Sequence, residues 1–550
     1  MKLEKFIFDI LESRKKSFLV YFIAFILFVL SIMTFPTQII KAKMLPSKNS
    51  DTFSIYVDLK DGSSTFQTKE VTQCIVKTLQ KEENIINIST FIKEGQPLDF
   101  AALVKQSALK DKESQAEIIV NIKKQKERTI TSYNLVSQLR TKVQTNCSLY
   151  EANIKFIELP AGPPVLASIV AEIYGGNSFE SRKNFAQEIA KILKNQTTLV
   201  DIDILADKDF IMYELELDNS KAIISLVDLE QLKNTLFLAF EGMNIAVVND
   251  KNAQSQIPIF LRLNDSRILK NSSKEELKIK LQNLKIVNNQ GTMINISEFV
   301  KIKEIIKEPT ITSKNLNLLI NVIAETSKDS QIYPLLNARK EMLNTLNNFE
   351  ITKTNMLNLS FIDKKTKEKF DLVFDGELKV TIDTFIDLGG AFIIALVLIF
   401  FLMVIYYKNF AISGGIVLSS FISIIGVVFA HVIMDLFTTD TFYLTATSLI
   451  GFIGLIGINS RNSTLIIDFS KQLVLEKNLS INEAIAKATA TRSKPIILTV
   501  LTMVFASALI ANDAVFGGLG VALIGGTLIS YVVSMFFVPV IIKNQLKKIL

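Results

Sequence analysis

Residues Gly454 to Phe469 read GLIGINSRNSTLIIDF, and in this otherwise apolar stretch Arg461 is followed directly by Asn462, Ser463 and Thr464. The stretch closes a longer apolar run, Phe442 to Phe469, long enough to cross the ~30 Å hydrocarbon core of a bilayer. An Arg at that depth costs roughly 2.5 kcal/mol or more, so it is kept mainly where it faces a protein interior or a water-filled path. The other apolar runs hold no acid at comparable depth. Either Arg461 snorkels to the headgroups or reaches Asp468, on the same helical face about 10 Å further along the axis, or a partner outside the chain supplies the counter-charge. The polar patch after Arg461 favours the partner.

Five more apolar runs of spanning length flank this one: Ser17 to Phe35, Phe385 to Tyr407, Ile412 to Ile433, Pro495 to Ile510 and Val521 to Ile542. A chain of 550 residues with 49% apolar content could be one large soluble protein. The distribution decides otherwise, because the mixed, charged sequence is confined to Lys41 to Val380. Basic residues set the orientation. Lys2, Lys5, Arg14, Lys15 and Lys16 precede the first span, Lys408 follows the second, Lys471, Lys477, Lys487, Arg492 and Lys494 follow the fourth, and Lys543, Lys547 and Lys548 follow the sixth. The opposite turns, Asp435 to Thr441 and Ala511 to Gly518, contain no Lys or Arg. Both termini are therefore expected in the cytoplasm and the large segment outside. The first span is expected to be retained, since it is too long for a signal peptide and no small-x-small site follows it. The net charge of +7 reflects these anchors and needs no nucleic-acid partner.

Cys74 and Cys147 both lie in the external segment, where a disulfide is chemically allowed. A bridge is not expected: Cys74 falls mid-helix and Cys147 just past the end of another helix, and two cysteines do not make a framework. Gly451, Gly454 and Gly457 predict a close helix neighbour for the fourth span. Ser480 and Glu483 form a capping box opening a cytoplasmic helix, Ile481 to Ala490. His431, the only histidine, is expected at the membrane interface and is a poor metal site alone. The Met residues of the external segment are scattered and do not assemble the paired thioether ligands of a copper or silver exporter.

Within the external segment, periodicity predicts strand Phe53 to Leu59, helix Thr68 to Gln80, strands Ile86 to Ile92 and Ala116 to Ile122, helix Ser132 to Gln144 and strand Asn153 to Leu159, a βαββαβ unit. After a turn at Pro160 to Pro164, a second unit opens with strand Ser168 to Tyr174, helix Ser181 to Leu193 and strand Leu199 to Leu205. It resumes only at strand Leu318 to Ala324, helix Tyr333 to Asn347 and a strand near Asn358 to Ile362. The roughly hundred residues between are too many for a structureless loop. They predict an inserted subdomain with helix Leu226 to Phe240, strand Pro258 to Leu263, helix Ser273 to Leu284 and strand Met293 to Val300.

This α+β organisation, one interrupted pair of βαββαβ units between the first and second of six spans, resembles half of a resistance-nodulation-division (RND) efflux permease. The motifs carry the resemblance further: Lys43 to Pro46 (KMLP), Phe53 to Asp58 (FSIYVD) with Asp61-Gly62, the stretch Gly454 to Phe469, TRSKPIILT at Thr491 to Thr499 and FFVPV at Phe536 to Val540. Together they are similar to the C-terminal half of such permeases, of the AcrB/CzcA-like superfamily, standing as a separate polypeptide. The family's first half carries an Asp pair in its fourth span and the second half a Lys followed by Asn. Arg461-Asn462 occupies the matching place here. The resemblance implies that Arg461 and Asn462 join a proton relay with carboxylates supplied by a partner half, and that Arg492 and Thr499, about two turns apart on one helical face, form its cytoplasmic exit. From the residues alone, Arg492 reads first as a topological anchor and Thr499 as an intrahelical hydroxyl, and the resemblance reverses that preference. An Arg holds two carboxylates as a Lys does but does not lose its proton, so any deprotonation step of the Lys has no counterpart here.

The resemblance further implies proton-driven antiport from the inner membrane with no cofactor, a periplasmic adaptor, an outer-membrane channel and a trimer of heterodimers. It divides the chain into 1–40 (N-terminus and first span), 41–162 (first porter unit), 163–208 and 315–380 (second porter unit), 209–314 (docking subdomain) and 381–550 (remaining spans). A SecD/SecF-like secretion accessory also has six spans, but the GINSRN and RSKPIILT segments argue against it. A non-transporting scaffold or the remnant of a split permease is the alternative from another class.

Overall fold

The structure, a computed structural model, describes residues 2–549 apart from 99, 160–161, 163–164, 254–255, 264–273, 328 and 439, and apart from the side chains at 100–101 and 547–549. The expected turn at Pro160 to Pro164 falls largely outside these residues, as do Ser273 and the side chains of Lys547 and Lys548.

In the first external unit, β1 (Thr52–Asp58) is central because Phe53, Ile55 and Val57 alternate inward and are buried. It pairs antiparallel with β3 (Gln115–Ile122) and β4 (Asn153–Glu158), and β2 (Ile85–Ile92) closes the other edge, giving the order β2-β3-β1-β4. Two helices cover one face. Thr65–Leu79 starts at a Ser64/Gln67 capping box and buries Val71, Ile75 and Leu79 at four-residue spacing. Ser132–Asn146 buries Leu135, Val136, Leu139 and Val143. The helices lie side by side, and this corrects the expectation about the cysteines: Cys74 and Cys147 are bridged, with Cα atoms 5.7 Å apart. The end of one helix meets the middle of the other, a register that sequence spacing does not contain.

The second unit repeats the plan. Strands β5 (Ile169–Gly175) and β6 (Leu199–Leu205) flank helix Phe179–Lys194. The chain then leaves through β7 (Ile211–Leu217), builds the insert with hairpin β8 (Met243–Val248) and β9 (Ile257–Leu261), helices Leu229–Phe240 and Lys274–Asn283 and short strands β10 (Lys285–Val287) and β11 (Met293–Asn295), and returns along β12 (Val300–Ile306). β12 pairs antiparallel with β7 from Ile211↔Ile306 to Leu217↔Val300, so the two ends of the insert form one ladder. The expected strand Met293 to Val300 is instead β11, a turn of 3-10 helix at Ile296–Glu298, and the start of β12.

After β13 (Thr312–Lys314), β14 (Asn317–Thr326) pairs with both β5 and β6, and helix Ile332–Thr345 follows. A second correction concerns the last strand. Asn358 to Ile362 lies in the middle of a meander, β15 (Phe349–Thr354), β16 (Asn358–Asp363) and β17 (Lys369–Asp375), and β17 takes the place beside β5. Its alternation of buried Phe370, Leu372 and Phe374 directs it there, and Phe370 stacks on Phe185 with ring centroids 4.6 Å apart.

Among the described residues six helices are long and apolar enough to cross a membrane: Arg14–Met33, Glu377–Tyr407, Phe410–Phe437, Ala446–Lys477, Ile481–Ile510 and Gly517–Leu546. The third is interrupted at Ser423, and the sixth contains a π turn at Val533–Phe537. The expected separate helix Ile481 to Ala490 runs without a break into the fifth span, with Pro495 inside it. The Ser480/Glu483 capping box opens this longer helix. Gly376 leads β17 straight into the second span, while the start of the fourth span is stitched to the strand entering the first unit. There Lys43 N–H donates to the Leu444 carbonyl (3.1 Å) and Ala446 N–H to that of Met44 (3.0 Å).

Candidate functional site

The 32-residue helix Ala446–Lys477 starts at a Thr445/Ser448 capping box and places its side chains by helical period. Ile450, Gly454, Gly457, Arg461 and Leu465 form one exposed stripe along it. Among the described residues no hydrogen bond or ion pair engages Arg461. Asp468 is held instead by the second span, whose Tyr407 and Tyr406 hydroxyls donate to it at 2.9 and 3.2 Å. Only one of the three glycines has the close neighbour expected of it. A Cβ on Gly451 would stand 2.8 Å from the Ala522 Cβ, whereas Gly454 and Gly457 have nothing within 4 Å. The tight helix crossing lies elsewhere, at Gly426 and Gly525 of the third and sixth spans, where a Cβ on either would strike the carbonyl oxygen of the other.

Asn462 is 1% exposed and its Nδ2 lacks a hydrogen-bond partner among the described residues. It shares a helix face with Phe469, seven residues on, and Phe469 meets the fifth span: the Arg492 guanidinium lies over its ring, 4.8 Å from the centroid. The Arg492 Nε is buried without a hydrogen-bond acceptor. Thr499 is exposed and its hydroxyl donates to the Ile496 carbonyl (2.8 Å), the intrahelical bond that residue spacing allows. Arg492 is thus tied to the helix that carries Arg461 and Asn462, but no hydrogen bond or ion pair joins it or Thr499 to either of them among the described residues.

Sequence reading missed a polar cluster on the opposite face of the fourth span. Asn459, fully buried, donates through Nδ2 to the hydroxyls of Ser419 (3.0 Å) and Ser420 (3.1 Å), and its Oδ1 accepts from Ser530 (2.8 Å) and Ser534 (3.5 Å). Ser463 and Ser460 hydrogen-bond to Ser419 and Ser420 in turn. His431 is a correction of the same kind: it is buried, not interfacial, with Nδ1 donating to the Val427 carbonyl (2.8 Å) and Nε2 bonded to the Ser448 hydroxyl (2.9 Å). Each polar residue was visible in its apolar run, but which spans pack together was not.

Outside the membrane helices a cavity of about 480 Å³ lies between the two units. Among the described residues the ion pairs across the units all have the same sense. Lys105 pairs with Glu325 (2.8 Å), Lys112 with Asp207 (2.8 Å), Arg140 with Asp201 (3.2 Å) and Lys155 with Asp203 (2.6 Å), the base always from the first unit and the acid from the second. Lys155 also holds Asp58 (2.8 Å). Burial by itself would raise the Asp58 pKa, but the ammonium groups of Lys155 and Lys110 hold it down to about 2. Asp207 is likewise held at about 2 against its burial, by hydrogen bonds from Lys112 and Thr310. For Asp201 burial prevails over Arg140 and pushes the carboxyl up.

The family model for AcrB/AcrD/AcrF proteins matches residues 2–543. The chain is similar to the swarming motility protein SwrC of Bacillus subtilis (22% identity over 376 residues, 66% of this chain and 32% of that protein). It is also similar to the multidrug export protein AcrF of Escherichia coli (26% over 152 residues, 27% and 14%) and the multidrug resistance protein MdtC of Edwardsiella ictaluri (32% over 99 residues, 17% and 10%). Among solved structures, two crystal forms of a heavy metal efflux pump share the fold, each with a TM-score of 0.70, at 15% and 14% identity, covering 98% of this chain. The chain spans about half the length of those pumps, 51% in both. With six helices of membrane-spanning length and a family model matched from residue 2 to residue 543, this chain is an integral membrane protein of the AcrB/AcrD/AcrF family, within the RND permease superfamily.

Proposed function

We propose that the chain is a half-size subunit of a proton-driven RND efflux permease, and that a second chain supplies the proton-binding carboxylates. The observation that carries this is the stripe of the fourth span: a cation in an apolar run, without a counter-ion among the described residues, flanked by two glycines that leave room for another helix. An acidic pair on a neighbouring span would settle against Gly454 and Gly457 and meet the Arg461 guanidinium in bidentate fashion. Arg461 then lowers the proton affinity of that pair, Asn462 offers it a hydrogen-bond donor, and Arg492 and Thr499 line the route to the cytoplasm.

In this reading both termini are cytoplasmic and the two external units stand in the periplasm. Residues 41–162 with 163–208 and 315–380 act as porter units along a substrate path, and 209–314 docks toward an outer-membrane channel with a periplasmic adaptor alongside. Three heterodimers complete the pump, which exports from the periplasm or the inner membrane at the expense of the proton gradient. The names of the relatives, multidrug and heavy-metal pumps among them, support efflux as the class of activity without fixing the cargo.

Purification of the tagged chain from its native membrane in mild detergent, with mass spectrometry of what accompanies it, tests the proposal. Recovery of a second six-span protein with adjacent acids in its fourth span is the expected result. A chain that emerges alone, or only with itself, overturns the proposal in favour of a scaffold or remnant.

A further inference from the structure

We propose that Asn459 is a positioning residue: it sets the rotation of the fourth span about its own axis and so aims Arg461 out of the bundle. Asn459 precedes Arg461 by two residues, which places the two side chains about 160° apart around the helix. One faces the third and sixth spans and the other faces away from them. The Asn459 amide is the hub of the buried cluster, with two donor bonds to the third span and two acceptor bonds from the sixth. Ser534, one of the acceptor-side partners, lies in the π turn Val533–Phe537 that interrupts the sixth span. Such a turn shifts the side chains that follow it around the helix, and π turns recur at functional positions. The apolar contacts of a membrane helix resist rotation weakly, since lipid and protein interior are equally apolar, and directional hydrogen bonds distinguish one rotational setting from the next. Both ends of the amide are engaged, the donor end by the third span and the acceptor end by the sixth, so a turn of the helix breaks bonds.

The aim of Arg461 is a geometric statement about this chain; its consequence for transport rests on the function proposed above. The experiment separates the two. Cys74 and Cys147 are bridged and the sequence has no other cysteine, so a cysteine introduced at position 457 is the sole free thiol. In the full chain in detergent micelles, a nitroxide on Gly457→Cys reports the open stripe as a mobile spectrum, and the same label on Ile453→Cys or Ile458→Cys reports its two flanks. Adding Asn459→Leu is expected to slow the label at 457 roughly threefold and to free one of the flanks. Ser530→Ala, which removes one of the bonds, is the milder variant and shifts the spectra in the same direction.

In vesicles holding both chains, a mis-aimed Arg461 no longer depresses the partner's carboxylates, and the midpoint of the pH profile of transport moves to higher pH by about one unit. A purely structural defect lowers the amplitude and leaves the midpoint in place. Unchanged spectra in folded Asn459→Leu and Ser530→Ala chains overturn the proposal, as does a midpoint that stays fixed in Asn459→Leu while Arg461→Ala moves it. If Arg461→Ala itself leaves the pH profile unmoved, the reading of Arg461 as part of the relay fails, and the spectra still decide whether Asn459 sets the helix.

Discussion

The charge on Arg461 stands in an apolar run with no hydrogen-bond or ion-pair partner among the described residues, and the proposed transport role turns on that residue. If the proposed function holds, Arg461→Ala is expected to leave the fold intact and to lower transport at least tenfold, because no hydrogen bond or ion pair among the described residues is lost with the guanidinium. Arg461→Lys keeps the charge but loses the planar fork, and retains part of the activity with a pH profile displaced from that of the parent. Vesicle uptake against an imposed proton gradient measures both. Arg461 was legible in the sequence because a guanidinium among Gly, Leu and Ile violates the cost rule of the bilayer by itself. Asn459 was not legible, although it stands in the same stretch. Its meaning lies in Ser419, Ser420, Ser530 and Ser534, 39 to 75 residues away, and depends on which spans are neighbours.

At the scale of elements, the fourth span has two faces that respond differently to the same chemical change. Gly454→Leu adds a side chain to open space, so the chain alone keeps its melting temperature while co-purification of a partner chain is lost. Gly525→Ala forces a Cβ against the Gly426 backbone and destabilises the bundle by about 2 kcal/mol, within the range of overpacking defects, as seen in detergent melting. In the first external unit, Cys147→Ser opens a bridge between residues 73 apart, which in the chain-entropy model weakens the unit by about 4 kcal/mol. Hydrogen exchange localised to helix Thr65–Leu79 is the measurement. The two βαββαβ units were largely readable because Phe53, Ile55 and Val57, or Val71, Ile75 and Leu79, show their periods directly. The same alternation in Phe370, Leu372 and Phe374 was present but overlooked, and the pairing of β17 with β5 is a long-range choice that no local pattern records.

Across the whole molecule, the two external units are held together by ion pairs of one polarity. Lys155 is the shared cation of Asp58 and Asp203, and Lys155→Ala leaves two carboxylates facing each other across the boundary, at a cost of about 3 kcal/mol, typical of breaking a buried pair. Asp58 and Asp207 are depressed to about 2 in the folded chain, below the unfolded value near 4. Their contribution to stability is therefore fully present above pH 4 and is lost as the pH falls from about 4 through about 2. Thermal unfolding monitored at pH 6, 4 and 3 is expected to show little change over the first interval and a clear drop over the second.

The attachments of these units give the molecule a gearing. The first unit is fastened to the start of the fourth span through the backbone bonds at Lys43 and Ala446, and to the turn before it through Tyr133 and Asn134, which donate to Asp440 at 2.8 and 3.0 Å. The second unit is fastened to the second span, which continues β17 through Gly376, with Leu378 N–H bonded to the Ser168 carbonyl at 3.1 Å. The second and fourth spans touch side by side through Tyr406, Tyr407 and Asp468. The segment that holds the start of the fourth span is itself held by the second unit, through Lys41 to Asp329 at 2.8 Å and through the Ser330 hydroxyl, which donates to the Ala42 carbonyl. In the function proposed above, a movement of the helix that carries Arg461 would reach the bases of both units through these backbone attachments, without passing through the interior of either.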